Sequence, residues 1–316
     1  MTILHICDGW ERSNGAANIA RMIADEQRRA GHDVSLARWA QRSVLRACDQ
    51  VWVHCGWKPC LWWAALWGRD VHWMPEASYD PVRLSYHGWK KRLAGPVERF
   101  FLRRVAVVVA ACEAEAGWIR AYEPRVKGIE VTDIKRFFKL ERGDERTADA
   151  LQDGKRPVHL LYLGRRHPLK GVEYLERAVA EVVSGYRPPD GGCPDGERRG
   201  PPVELRVVSD AFGDEKERVW DWCDVLVLPT LSENFALVVA EALERGKRVI
   251  TTDGAPAWGG CGDWGGRLVY LDGYREGAPE DRVRLLSDAI VKFCALRRRQ
   301  DFGRISPCKT CELSET

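Results

Sequence analysis

The stretch from Asp224 to Asp253, DVLVLPTLSENFALVVAEALERGKRVITTD, constrains the fold more than any other. Val225-Leu226-Val227-Leu228 is an unbroken apolar run closed by Pro229, which suits a strand buried on both faces, as in a parallel sheet. Thr230 to Ser232 reads as a loop, with Ser232 the expected cap of the helix that follows. That helix is predicted to run to about Arg245, where Gly246 stops it. Arg248 to Thr252 is the next strand. Strand, loop, helix and parallel strand in this order make an α/β unit.

Two carboxylates mark that unit, Glu233 at the helix mouth and Glu241 eight residues on. On a continuous helix that spacing rises about 12 Å, the span from the sugar of an extended nucleotide-diphosphate sugar to its ribose. Glu241 stands among Val238, Val239, Ala240, Ala242 and Leu243, where a carboxylate costs free energy unless something pairs with it. The helix N-terminus, expected near Asn234 and Phe235, offers backbone N–H groups to an anion. The plainer alternative is a capped core helix carrying one solvated Glu.

Similar units fill the rest of the chain. Thr2 to Cys7 reads as a strand, Asp8 to Gly15 as a polar loop, Ala16 to Ala30 as a helix with Ile19, Met22 and Ile23 on one face, and Asp33 to Ala37 as a second strand. This is a nucleotide-fold opening without the G-x-G-x-x-G dinucleotide fingerprint, which argues against an NAD-dependent oxidoreductase. Val51 to His54, Val71 to Met74, Val105 to Ala111 and Val126 to Val131 are further strands. KPCLWWAALWG is an apolar helix, either core packing under a sheet or a contact for acceptor or lipid. Arg83 to Arg104 carries seven Lys or Arg against the single acid Glu98, with Trp89, Leu93, Val97, Phe100 and Phe101 at helical spacing. A basic amphipathic helix of this kind either lies on an anionic membrane surface or docks, solvated, on its own sheet; both readings stand at this point.

The charged segment 140–155 is low in apolar residues and reads as a linker. It separates an N-terminal Rossmann-like lobe over 1–139 from a C-terminal one over 156–300, with a polar tail over 301–316. The second series runs from a strand at Val158 to Leu163 through a helix at Val172 to Val183, a Pro/Gly-rich loop at Ser184 to Pro202, a strand at Val203 to Val208 and a short helix at Lys216 to Trp222. After the Asp224–Asp253 unit come a strand at Arg267 to Leu271 and a helix at Asp281 to Leu296. At 316 residues the chain has room for two domains. A net charge of +3 makes no case for nucleic acid. Eleven Cys without regular spacing suit a reducing cytosol. Cys308-x-x-Cys311 lacks the second pair a zinc site needs. MTILHICDGW is not a signal peptide by pattern, and no window is long and apolar enough for a membrane span.

GRRHPLKG, residues 164–171, lies between a strand and a helix. Arg165 and Lys170 are placed to hold a diphosphate, one as a bidentate fork and the other as a point charge. They stand in the same lobe as Glu233 and Glu241, at strand ends where ligands of α/β sheets bind. Ordinary surface charge is the alternative for this loop taken alone.

At this point the sequence resembles a known family, the retaining glycosyltransferases with two Rossmann-like lobes facing across a cleft (the GT-B fold), of the bacterial group 4 kind that builds surface polysaccharide and lipopolysaccharide. YLGRRHPLKGVEYLERA is similar to that family's G-R-x-x-x-x-K-G strand, loop and helix. DVLVLPTLSENFALVVAEALERGKRVITTDGAPAW is similar to its E-x7-E signature and the G-x-P turn after it. SYDPVRLSYHGWKKRLAGPVERFFLRR with ACEAEAGWIRAYEPRVKGIEV resembles the end of its acceptor lobe, and SNGAANIARMI its glycine loop. The resemblance spans roughly residues 2–296; the E-x7-E block is specific and the glycine loop is not.

The resemblance implies that Arg165 and Lys170 bind the donor diphosphate and stabilise the leaving nucleotide, that Glu233 contacts the sugar, that the backbone of Asn234, Phe235 and Ala236 supports sugar and phosphate, that Glu241 holds the ribose, and that Gly15 lets backbone approach the phosphate. It implies a nucleotide-diphosphate sugar as substrate, a UDP-sugar first and a GDP-sugar second, with no cofactor and no divalent metal. The acceptor would be a saccharide or a lipid-linked one, and the place of work the cytoplasm, at the inner face of the cytoplasmic membrane. The sequence departs from the family in having Pro75-Glu76-Ala77 where many members have Pro-His-Gly, which makes Glu76 the candidate for that histidine's place near the acceptor. The segment Val208 to Trp220 is also short, so the C-terminal lobe is expected to be somewhat reduced, and the closing helix shortened. These departures leave a second reading open, a catalytically weak sugar-nucleotide-binding partner in a polysaccharide assembly complex.

Overall fold

The computed structural model describes residues 1–10, 15–86, 88–140, 156–185, 202–209, 211–260, 264 and 266–298. The segment expected as a linker and the polar tail with Cys308 and Cys311 therefore lie outside the described residues, apart from position 140, and most of the Pro/Gly-rich loop does too. The chain forms two compact units. One comprises 1–139 with 231–240 and 254–259; the other comprises 140–230, 241–253 and 260–316.

The first unit is built on a six-stranded parallel sheet of β1 (Thr2–Ile6), β2 (Asp33–Ala37), β3 (Gln50–His54), β4 (Val71–Met74), β5 (Val107–Ala110) and β6 (Ile129–Val131), in the order β2-β1-β3-β4-β5-β6. Order and direction follow from the connections. Each strand is followed by helix or long loop, and such crossovers join parallel strands. Helices α1 (Gly15–Arg29), α2 (Arg42–Ala47), α3 (Pro59–Trp67), α4 (Pro81–Ser85), α5 (Gly88–Arg104) and α6 (Glu113–Tyr122) make these crossovers. α3 is core packing: Leu61, Ala64 and Ala65 are buried and its tryptophans pack on the same cluster. α2 is short and polar and left no periodic signal. The Arg83 to Arg104 stretch divides into α4 and α5 rather than one helix. α5 is docked by Glu98, Phe101 and Leu102.

The second unit repeats the plan with β7 (Val158–Leu163), β8 (Val203–Val208), β9 (Val225–Leu228), β10 (Arg248–Thr252) and β11 (Leu268–Leu271), all parallel, in the order β11-β10-β9-β7-β8. Helices α7 (Val172–Val183), α8 (Gly213–Trp222) and α10 (Pro279–Arg298) belong to it, and α9 (Leu237–Glu244) carries residues of both units. All four residues of β9 are buried, as its unbroken apolar run required. Renumbered within each unit, both sheets begin 2-1-3-4-5, the flavodoxin-like doubly wound order.

One local expectation fails. The helix after β9 starts at Leu237, five residues beyond the cap read at Ser232. The loop 232–236 is held by other bonds. The Glu233 N–H donates to the Gly254 carbonyl at 2.7 Å, the Ser232 hydroxyl donates to Asp80, and Ala236 takes the left-handed conformation at φ 57°. Glu233 therefore lies in a loop and not on the helix of Glu241, so the 12 Å helical rise between them does not apply.

Candidate active site

In a doubly wound sheet the ligand crevice lies at the carboxyl ends of the two strands where the winding reverses. In the second unit these are β7 and β9. Gly164 leaves β7 at φ 156°, and Arg165 follows, exposed, its carbonyl accepting the Tyr162 hydroxyl at 2.8 Å. Lys170 closes a single 3-10 turn, Pro168–Lys170. Gly171 then adopts φ 62°, and a Cβ there would stand 2.2 Å from the Pro229 carbonyl oxygen. Only glycine lets the Arg165–Lys170 loop close against the end of β9. The Thr230 hydroxyl ties the two strand ends together by donating to the Leu169 carbonyl at 3.0 Å. The backbone that carries the two cations is thus held beside the winding reversal by Gly171, Pro229 and Thr230. Glu241, on the same unit, meets Lys216 Nζ at 2.7 Å, which answers the sequence-level question of what pairs with it.

In the first unit the reversal lies between β1 and β3. The chain leaves β3 through Cys55 at φ 72° and Trp57 at φ 66°, and leaves β4 through Glu76 at φ 55° and Ala77 at φ 58°. Four non-glycine residues in the left-handed region cost of order 1 kcal/mol each or more, and such strain gathers at functional sites. Asp8, just after β1, binds Lys58 Nζ at 2.6 Å and Arg38 Nη2 at 2.9 Å. Gly15 opens α1 with nothing within 4 Å of an added Cβ; the structure by itself does not require glycine there.

Glu76 ends a buried chain of polar groups. His5 Nε2 and Gln27 Oε1 are 2.7 Å apart, His5 Nδ1 and His54 Nε2 are 3.0 Å apart, and His54 Nδ1 and Glu76 Oε1 are 3.4 Å apart. With the Gln27 carbonyl accepting from Nε2–H of His5, His5 Nδ1 must accept from Nε2–H of His54. That leaves an unprotonated His54 Nδ1 facing Glu76 Oε1 at 3.4 Å, and neither atom has a hydrogen-bond partner among the described residues. Burial pushes Glu76 up to about 8, against the opposing pull of Arg83. Burial holds His54 down at about 3, and burial with the neighbouring His54 holds His5 at about 3. Glu115 accepts the N–H groups of Ala77 at 2.5 Å and Ala111 at 2.7 Å, and burial raises it to about 7.

Arg83 is the residue that the sequence reading counted only as helix charge. Its Nη1 donates to the Glu76 carbonyl at 3.2 Å, its Nε to the Ser232 hydroxyl at 2.9 Å and its Nη2 to the Ser232 carbonyl at 3.3 Å. Nη2 also stands 4.0 Å from Glu233 Oε2. One guanidinium therefore joins Glu76, Ser232 and Glu233. Beside them Asn234 is 7% exposed, and neither amide atom finds a partner. A buried orphan amide is rare in native proteins and calls for a partner beyond the protein's own groups. Phe235 is buried, stacked on Phe138 at 6.2 Å, and its carbonyl accepts Trp258 Nε1–H at 2.6 Å. The backbone of 234–236 is thus tied down up to the first turn of α9, where the Val239 N–H donates to the Ala236 carbonyl at 2.9 Å.

Residues 157–269 match the family model of the glycosyl transferases group 1. The D-inositol 3-phosphate glycosyltransferase of Mycobacterium ulcerans is 31% identical over 131 residues, 37% of this chain and 28% of that protein. The matched segment thus spans little more than a quarter of the curated relative. Among solved structures, sucrose-phosphate synthase from Thermosynechococcus elongatus superposes with a TM-score of 0.61 at 15% identity, covering 94% of this chain and 93% of that one. Anabaena HepE in complex with UDP and glucose gives 0.54 at 16% identity, covering 94% and 95%. At these identities the likeness is one of fold. The chain is an α/β protein of two Rossmann-like lobes, the GT-B fold, whose residues 157–269 carry the sequence pattern of the glycosyl transferases group 1.

Proposed function

We propose that the protein transfers a sugar from a nucleotide-diphosphate donor to a saccharide or lipid-linked acceptor in cell-surface polysaccharide synthesis, as a retaining, metal-independent glycosyltransferase of the group 4 kind. The observation that carries the proposal is the pair Arg165 and Lys170, held at the winding reversal of the second sheet by the Gly171–Pro229 contact, inside the segment that matches the glycosyl transferases group 1. In this reading the two cations take the diphosphate and stabilise charge on the leaving nucleotide, the work a metal does elsewhere. Glu233 and the Asn234 amide take sugar hydroxyls. The backbone of Phe235 and Ala236 and the first turn of α9 face phosphate, and Gly15 gives backbone access to it. Glu241 takes the ribose hydroxyls. Glu76, held as the neutral acid, takes its place with Arg83 on the acceptor side. A UDP-sugar is the first choice of donor because HepE is seen with UDP and glucose. The protein works in the cytoplasm, in peripheral contact with an anionic membrane face through α5.

A second reading, a sugar-nucleotide-binding partner without turnover, is favoured by one observation. Glu241 is already paired with Lys216 at 2.7 Å, so ribose must compete for it. Thermal shift against UDP, GDP, ADP and their common sugars tests both. A shift with one nucleotide that is lost in Lys170→Ala supports donor binding, and transfer to an added saccharide acceptor then separates enzyme from partner. Absence of any shift in the wild type refutes both readings.

A further inference from the structure

The exposed side of α5 is organised in two parallel rows. Trp89, Leu93, Val97 and Phe100 follow one another at spacings of four, four and three, which places them on one helix face. They are 64%, 73%, 42% and 49% exposed. Four large apolar side chains in a line, open to water, cost solvation free energy that an isolated soluble helix face has no reason to bear. One row over, Arg92, Arg99 and Arg103 repeat at spacings of seven and four.

That second row borders a groove of about 750 Å³. Its wall includes Lys91, Arg92, Arg99 and Arg103 from α5, with Trp57 and Tyr122 opposite, and no Asp or Glu lines it. The wall is rigid. Trp57 donates its backbone N–H to Glu98 at 3.0 Å and its indole N–H to the Ser78 carbonyl at 3.2 Å. Arg99 lies over the Tyr122 ring at 4.7 Å. Arg103 is bound to Glu123 at 2.9 Å, but among the described residues no carboxylate lies within ion-pair distance of Lys91, Arg92 or Arg99. The Lys91 ammonium instead donates to the Arg83 carbonyl, and burial, then the neighbouring Arg83, hold it below its usual range. Cations gathered this closely destabilise one another, although Glu123 offsets Arg103 and Asp80 acts on Lys91, and an anion in the groove relieves them further.

We propose that this groove binds the phosphate-bearing head group of an anionic membrane lipid, with Trp89, Leu93, Val97 and Phe100 entering the interfacial layer beside it. The shared chemistry is a phosphate ester carrying hydroxyls. The lipid source is chosen over a soluble phosphate ester because the groove opens along the same helix as the apolar row, and a soluble ester gives that row no partner. Arg forks meet phosphate oxygens in pairs, and the apolar row supplies the area that a few charges alone do not. The inference rests on the reading of the protein as a transferase working at a membrane and deepens it, by naming where on the chain the lipid is held.

The test is flotation of the full chain with phosphatidylcholine vesicles containing phosphatidylglycerol, against phosphatidylcholine alone. Wild type binds the anionic vesicles. Arg92→Ser/Arg99→Ser loses about 30-fold in partition coefficient, the product of two basic contacts at an anionic leaflet. Leu93→Ser/Phe100→Ser, which removes apolar area and no charge, also loses binding. Arg69→Ser/Arg120→Ser removes the same charge from exposed positions outside the groove and retains binding. Equal loss in both arginine pairs would reduce the effect to overall charge and overturn the site, as would retention in Arg92→Ser/Arg99→Ser. Glycerol 3-phosphate that displaces the protein from vesicles as effectively as it binds in solution overturns the lipid assignment. The UDP thermal shift is read in the same preparations. A shift without vesicle binding sinks the groove alone, and vesicle binding without a shift sinks the donor reading alone.

Discussion

Glu76→Gln isolates the strangest group in the molecule. Glu76 is 7% exposed and titrates at about 8 in place of its ordinary 4.5. A carboxyl with a raised folded value keeps a proton that the unfolded chain has released, so stability is present below about 4.5 and is lost as pH rises towards 8. Each unit of difference is worth about 1.4 kcal/mol. Glutamine keeps a donor for His54 Nδ1 and does not titrate. The free-energy difference between variant and wild type should therefore widen by roughly 3–4 kcal/mol from about pH 5 to pH 8. Wild type alone hides part of this. Glu115 retains a proton to about 7, while His5 and His54, held near 3, refuse protons that the unfolded chain takes up below 6.5. Between about 4.5 and 6.5 two retained protons offset two refused ones, and wild-type stability is nearly flat; above 6.5 it falls. Amide exchange of β1, β3 and β4, measured on both proteins side by side, reads the difference with intrinsic rates cancelled. A difference that stays constant over this range would mean that Glu76 is ionised in the fold and that burial does not hold its proton.

Gly171→Ala puts a Cβ 2.2 Å from a carbonyl oxygen at φ 62°, so β7 and β9 should lose at least about 2 kcal/mol of exchange protection; unchanged protection would show that the loop packs elsewhere. Lys216→Ala leaves Glu241 about one-fifth exposed and solvated, with a stability loss of about 1 kcal/mol or less and the UDP shift kept or enlarged. A UDP shift abolished by that change would make Lys216, and not Glu241, the nucleotide contact.

The strands were legible because parallel strands buried on both faces announce themselves as apolar runs between helices: VLVL, VHLLYL and RVITT each became the strand expected. α7 matched its expected ends at Val172 and Val183 because Gly171 precedes it and its apolar period is regular. α9 did not. Ser232 has the composition of a cap and a helix-like sequence after it, but a serine hydroxyl is claimed by whichever partner the fold brings nearest, and here that is Asp80, 152 residues away in sequence. Local chemistry proposes a cap and tertiary chemistry overrides it.

The same asymmetry governs the candidate site. Arg165 and Lys170 could be placed in the turn after β7 because Gly164 and Gly171, which shape that turn, are their neighbours in sequence. Arg83 could not, because its partners Ser232 and Glu233 lie about 150 residues on, and in the sequence it is one cation among seven. Nor could the neutral state of Glu76, which follows from its burial in the folded unit. Groups that bind charge on a flexible ligand can be local, since the ligand adapts to them. Groups that must hold a proton against solvent need walls from several strands, and walls are non-local by construction. The residues invisible in the sequence are thus the ones that set protonation and loop geometry, and Arg83, which fixes the loop of Glu233 while lying beside Glu76, links the two.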